Sequence, residues 1–123
     1  MKIRHLLLCL GGALFVGATA AHALTPTELQ ALLDRGEGVT IVDVRSATLF
    51  QKGTVPGAIN VPAALIPHKQ LPPLGRVVVC DDGRGPDIAT AAAAALNRKP
   101  GILAEVLAGG FAAWETMRGV STK

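Results

Sequence analysis

Midway along the chain, Cys80-Asp81-Asp82-Gly83-Arg84-Gly85-Pro86 gathers a thiol, two carboxylates, a guanidinium and two glycines into one short run. It follows Val77-Val78-Val79, which has the composition of a buried strand, and precedes the alanine-rich stretch from Asp87 to Leu96. A tight loop and a helix N-terminus both present unpaired N–H groups, which favour a thiolate or a bound oxyanion. A cysteine held there has its pKa drawn below the ordinary ~8.5 and becomes a nucleophile. The neighbouring charges oppose this. Asp81, Asp82 and Asp87 against Arg84 leave the run and the residue after it with a formal −2. Carboxylates beside a thiol raise its pKa and repel an anionic substrate. A unit charge at ~4 Å is worth about 4 kcal/mol at an effective dielectric near 20, whereas a helix dipole contributes about 1 kcal/mol.

Other cysteine chemistries fit poorly. The chain holds two cysteines, Cys9 and Cys80, and Cys9 lies in an apolar N-terminal run. No Cys-x-x-Cys redox pair exists. A phosphatase-type cradle needs an arginine six places after the cysteine, where this chain has Pro86. One histidine, His68, accompanies Cys80 beyond the N-terminal segment, too little for a dyad or a metal site. No metal and no cofactor are expected.

The elements that must position this loop follow from spacing. Thr25-Pro26-Thr27-Glu28 carries the marks of a capping box, with proline at the first helical position. Leu29, Leu32 and Leu33 then fall on one helical face, and Gly36 and Gly38 end the helix. Val39 to Val44 reads as a buried strand with Asp43 near its end. Ala47 to Lys52 reads as a short helix anchored by Phe50 and stopped by Gly53. Val55 to Pro62 reads as a turn, a very short strand and a break. Ala63 to Leu74, spaced by prolines, is expected to be mostly irregular. Val77–Val79 is the next strand. Asp87 to Leu96 is a helix with Pro86 in its first turn, and its alanines allow close approach to a sheet. Glu105-Val106-Leu107 is a further strand, Gly109-Gly110 a turn, and Phe111 to Arg118 a last helix carrying Trp114. Strands alternating with helices predict an α/β domain, a parallel sheet with helices on both faces.

The N-terminus reads as a secretory leader. Lys2 and Arg4 precede the apolar run Leu6 to Val16, and Ala21-His22-Ala23 offers small residues at a cleavage site. The run is shorter than the ~20 residues of a membrane span. Cleavage after Ala23 would leave one domain, 24–123, periplasmic or secreted and without a membrane anchor. Losing Lys2 and Arg4 leaves ten basic residues against nine acidic ones, so the formal +3 of the whole chain falls to +1. With no basic patch and only Phe50, Phe111 and Trp114 as aromatics after the leader, nucleic acid is not an expected partner.

Three segments in order resemble the rhodanese-like family: Asp43-Val44-Arg45 at a strand end, Phe50 followed by Gly53-Thr54-Val55-Pro56-Gly57-Ala58-Ile59-Asn60, and Val106-Leu107-Ala108-Gly109-Gly110-Phe111 with Trp114. Thr54 departs from the pattern, which often has histidine there. The resemblance implies a five-stranded parallel sheet flanked by helices on both faces. It also implies a loop whose cysteine accepts sulfane sulfur as a persulfide and passes it to a thiol.

Two registers stand open. In one, Cys80 is the catalytic nucleophile and Asp81, Asp82, Gly83, Arg84 and Gly85 form the substrate-binding loop. The arginine common five residues after the cysteine is then missing, with Gly85 in its place. In the other, Cys80 ends the strand and Asp81 takes the nucleophile's position, a replacement common in non-catalytic domains of this type. The first register implies a sulfurtransferase with a small sulfur donor, thiosulfate or a persulfide, and a thiol acceptor. The second implies a module that binds a ligand or an unknown periplasmic protein. Asp43 and Arg45 are expected to form a structural pair, and Phe111 and Trp114 to be core.

Overall fold

The computed structural model describes residues 23–119. The predicted leader lies outside the described residues except for Ala23 itself. Ala23–Leu24 form a first strand, β1. Helix α1 (Pro26–Asp34) follows, closed by the expected capping box: Thr25 Oγ1 accepts from the Glu28 amide at 3.1 Å, and Glu28 Oε1 accepts from the Thr25 amide at 2.9 Å. Then come β2 (Thr40–Asp43), α2 (Ala47–Lys52), β3 (Ile59–Asn60), a 3-10 helix (Ala63–His68), β4 (Gly75–Cys80), α3 (Ala89–Asn97), β5 (Ile102–Leu107) and α4 (Gly110–Arg118).

All strands run parallel in the order β1-β5-β4-β2-β3. Parallel strands joined by crossovers are covered on both faces, so their sequences run apolar rather than alternating. Val77, Val78, Val79 and Cys80 accordingly have no exposed surface. Strand geometry sends successive side chains to opposite faces. Val77 and Val79 join Val42 beneath α3 and the 3-10 helix, which contribute Ile66, Ala89, Ala92, Ala93 and Leu96. Val78 and Cys80 join Ile41 and Leu107 on the other face, against Leu29, Leu32 and Trp114 from α1 and α4. The buried alanines fall one helical turn apart, so a stripe of methyl groups brings α3 down onto the sheet.

Three expectations change. Residues 63–68 are a 3-10 helix rather than irregular chain, because Ile66 is pulled wholly into the core. Helix α3 starts at Ala89, so Pro86 stands upstream of it, and Asp87 instead accepts from the amide and hydroxyl of Thr90 at 3.0 and 2.7 Å. Strands β4 and β5 each run to six residues, longer than the expected Val77–Val79 and Glu105–Leu107 segments. The predicted cleavage point falls inside β1, whose Ala23 and Leu24 pair with Val106 and Leu107.

Candidate functional site

Strands β2 and β4 are neighbours whose onward connections lead in opposite directions along the sheet, from β2 to β3 and from β4 to β5. A crevice opens at the carboxyl ends of such strands, the usual ligand position in open α/β sheets. The loop from Asp81 to Ile88 lies there.

Cys80 is still strand. It pairs with Asp43 across the β2–β4 ladder, and its side chain points into the core on the face away from α3. The sulfur has no solvent-exposed surface, and its thiol lies 3.5 Å from the Asp81 carbonyl oxygen as donor. Burial, with smaller contributions from the negative charges of Asp43, Asp81 and Asp82 and against Arg45, pushes this thiol from 9.0 up to about 12. A thiol pushed this far up keeps its proton near neutral pH, and it is the thiolate that acts as a nucleophile.

The shift has a signed consequence. The folded chain keeps the Cys80 proton up to about 12, whereas a free thiol releases it near 9.0. The resulting stabilisation is intact below pH 9 and erodes above it, at roughly 1.4 kcal/mol per pH unit, until the folded group also ionises. Urea unfolding of the parent and of Cys80→Val from pH 8 to 10.5 should therefore give diverging stabilities, the parent falling faster. Parallel curves would show that the thiol is not buried in solution.

Asp81 is the first residue beyond the strand, and it fills the place the first register assigned to a sulfur. Its Oδ1 accepts from the Gly83 amide at 2.9 Å, and its Oδ2 from the Ile88 and Ala89 amides at 3.2 and 3.1 Å. The side chain is thus the anion in a cup made by its own loop and the start of α3. The second wall is α4. Its amides at Phe111 and Ala112 donate to the carbonyls of Asp81 and Asp82 at 2.8 and 3.1 Å. Two glycines permit this closeness. A Cβ on Gly110, whose φ is +58°, would stand 2.5 Å from Asp81 Oδ1, and one on Gly83 would stand 1.9 Å from the Gly109 carbonyl oxygen.

The other loop residues do not converge on the cup as a substrate clamp. Arg84 and Gly85 are exposed, and Arg84 makes no hydrogen bond or ion pair among the described residues. Asp82 lies 3.9 Å from the Arg45 guanidinium. A shallow cavity of about 200 Å³ beside the loop is lined by Asp81, Gly83, Asp87 and Gly109 among others.

Beneath the loop, Asp43 and Arg45 form the expected pair. The Asp43 carboxylate is completely buried and takes Arg45 Nη2 at 2.7 Å, Arg45 Nε at 3.0 Å and the Arg45 amide at 3.0 Å. Thr54 adds its hydroxyl at 2.8 Å, so the residue that departs from the family pattern keeps a hydrogen-bond donor on this carboxylate. Arg45 also donates to the Gly53 carbonyl at 2.6 Å and lies over the Phe111 ring, 4.4 Å from its centre. Phe111 is therefore more than the core residue its sequence position predicted.

Sequence reasoning missed two contributors. Asn60 donates to the carbonyls of Asp43 and Arg45 at 3.0 and 2.9 Å, tying β3 to the site. The Ile88 and Ala89 amides come from a helix start two residues later than expected. Asn60 ends the Gly53 to Asn60 motif, so the sequence carries a signal for it; the amides carry none, because any residue type supplies them.

In chemical terms the site gathers three backbone donors beside the start of α3, and the Asp81 carboxylate takes all three. The comparisons with known proteins agree with the architecture. The rhodanese homolog TT1651 from Thermus thermophilus is 30% identical, with a TM-score of 0.59 over 75% of this chain and 99% of that one. The human single-domain sulfurtransferase TSTD1 is 22% identical, with a TM-score of 0.66 over 79% and 97% of the two chains. The thiosulfate sulfurtransferase of Pseudomonas aeruginosa is 29% identical, with a TM-score of 0.66 over 84% of this chain but only 20% of that one. No curated protein matches by sequence. The family model described as rhodanese-like domain matches residues 25–117, nearly the whole described fold, and the chain belongs to that family.

Proposed function

We propose that this chain is a catalytically silent rhodanese-like binding module, with Asp81 in the nucleophile's position and Cys80 serving as a strand residue. One observation carries the reading: the Asp81 carboxylate holds three loop amides while the Cys80 sulfur is fully buried on the opposite side of the strand. Transfer of sulfane sulfur needs a reachable thiolate that attacks the donor, and neither condition is met at Cys80. The amide cup has no vacancy for thiosulfate, and Asp82 and Asp87 add negative charge at its mouth. The loop suits a neutral or cationic partner group. The leader-like Lys2 to Ala23 supports a periplasmic or secreted setting for that partner; a retained leader on the chain recovered from intact cells would remove this placement.

The sulfurtransferase reading on Cys80 is the rival, favoured by the 29% identity to a thiosulfate sulfurtransferase. One experiment separates them. After incubation with thiosulfate or polysulfide, the intact mass of the parent should show no added sulfur atom on Cys80. Thiocyanate release in the presence of cyanide should be no faster than that of Cys80→Val. A sulfur adduct on Cys80 together with turnover that Cys80→Val abolishes would overturn the proposal and restore the rival. The variant itself is a near-isosteric core change and should cost under about 1.5 kcal/mol.

A further inference from the structure

The far end of the molecule carries a second candidate site of opposite charge. The 3-10 helix ends at His68, and the chain then runs through Lys69, Gln70 and Leu71 towards β4. Lys99 and Pro100, just past the end of α3, come up beside it, thirty residues away in sequence. Between the two segments lies a cavity of about 300 Å³, lined by Pro67, His68, Lys69, Gln70, Leu71, Lys99 and Pro100. This size is at the lower limit of small-molecule sites. Its lining holds two lysines, a histidine and an amide, and no carboxylate.

The two lysines here are uncompensated. Neither lysine, nor His68, belongs to any ion pair among the described residues, whereas the arginines at 35, 45 and 76 each meet a carboxylate. Lys99 is half-buried, and its ammonium is fixed rather than free: it donates to the Lys69 carbonyl oxygen at 3.0 Å. An ammonium has three donors, so two remain for a ligand. The bond also holds Lys69 and Lys99 together at one rim. Ordering of lysine side chains ordinarily opposes binding, and here part of that ordering is already done. Pro67 and Pro100 stiffen the two segments.

We infer that the cleft between the 3-10 helix and the end of α3 binds a small phosphate-type oxyanion, free or as a monoester, through Lys69, Lys99 and His68. The chemistry that selects it is two lysines lining one cleft, with further hydrogen-bond donors and no carboxylate in the lining. This site lies outside the Asp81 loop and does not depend on how that loop is assigned.

Amide chemical shifts of the chain, followed while inorganic phosphate or glycerol phosphate is added at constant ionic strength, test it. Saturable shifts are expected at Lys69, Gln70, Leu71 and Lys99 and not at Gly83 or Ala89. Tighter binding of the monoester would mark an ester as the ligand, and equal binding would mark free phosphate. Lys69→Gln, whose side chain makes no hydrogen bond among the described residues, should weaken binding about tenfold without changing Tm, the loss expected for one charge-assisted contact. Lys99→Gln should do at least as much, and Arg118→Gln nothing. Absence of saturable shifts at these amides overturns the inference. So do shifts reproduced by chloride alone, or binding unchanged in both lysine variants.

Discussion

Asp81→Cys, made in a Cys80→Val background, should turn this protein into a sulfurtransferase. The substitution exchanges the resident carboxylate for a thiol whose sulfur would stand against the same three amides, those of Gly83, Ile88 and Ala89. It also removes one negative charge from a loop that carries a formal −2. Helix-terminal amides draw a thiol below its ordinary ~8.5, whereas burial holds Cys80 near 12. The difference is more than about a thousandfold in thiolate fraction near neutral pH. The thiolate would attack the sulfane sulfur of thiosulfate; the S–S bond breaks, sulfite leaves with its electron pair, and cyanide then takes the sulfur as thiocyanate. Thiocyanate formation should rise on the order of a hundredfold or more over the parent, following the gain in thiolate less the repulsion by Asp82 and Asp87. An added sulfur atom should be visible by mass on the new side chain. Asp81→Ser, which has no thiol, should stay silent. A folded Asp81→Cys variant whose thiol titrates no lower than a free cysteine would show that the cup does not stabilise an anion, and the structural reading of Asp81 would fail with it.

That experiment turns on a distinction the amino-acid string could not make. Three motifs in order were enough for the fold, because each combines a strand end or turn with residues of restricted role: Asp43 and Arg45, Gly53 to Asn60, Gly109 with Gly110. The assignment between Cys80 and Asp81 needed the strand's last residue, and Val77-Val78-Val79-Cys80 runs into Asp81 with no glycine or proline to stop it. What ends β4 is remote: Asp43 pairs with Cys80 across the ladder, and α4 donates its Phe111 amide to the Asp81 carbonyl. Since side chains alternate, a shift of one residue exchanges core and loop. The start of α3 was misplaced for a related reason. The Ile88 and Ala89 amides at its start are held by a carboxylate seven and eight residues upstream, while the neighbouring Asp87 takes the Thr90 amide. The 3-10 helix escaped because Pro67 argued for irregular chain, while tertiary burial of Ile66 decided the outcome.

The charge count of the loop does not say which of its charges meet. Arg84 forms no ion pair with Asp82 or Asp87 among the described residues. Asp82 is instead near Arg45, whose guanidinium is engaged below the loop. The same network makes the loop depend on a residue it never touches in sequence, which sets up the largest expected stability effect.

Asp43→Ala should destabilise the fold by about 3–5 kcal/mol, the cost of removing one partner from a buried ion pair. The carboxylate is fully buried, and its loss leaves Arg45, a residue only 8% exposed, without its main counter-charge. The Gly53 carbonyl at 2.6 Å and the Phe111 ring remain, and Asp82 stands too far at 3.9 Å to replace two short hydrogen bonds. Thr54 loses its acceptor as well. Arg45→Met should also destabilise, because it strands the carboxylate. Asp43→Ala with Arg45→Met should cost clearly less than the two singles together, a coupling of about 2 kcal/mol or more for a buried pair. Urea midpoints at constant pH measure all three. Equal additivity, or a loss under about 1 kcal/mol for Asp43→Ala, would mean that the pair is solvated in solution. If the coupling is found, hydrogen exchange at Gly83 and Ala89 in the singles tells whether the strain reaches the cup. Faster exchange there would place Arg45, through Phe111 and the start of α4, among the residues that hold Asp81 in position.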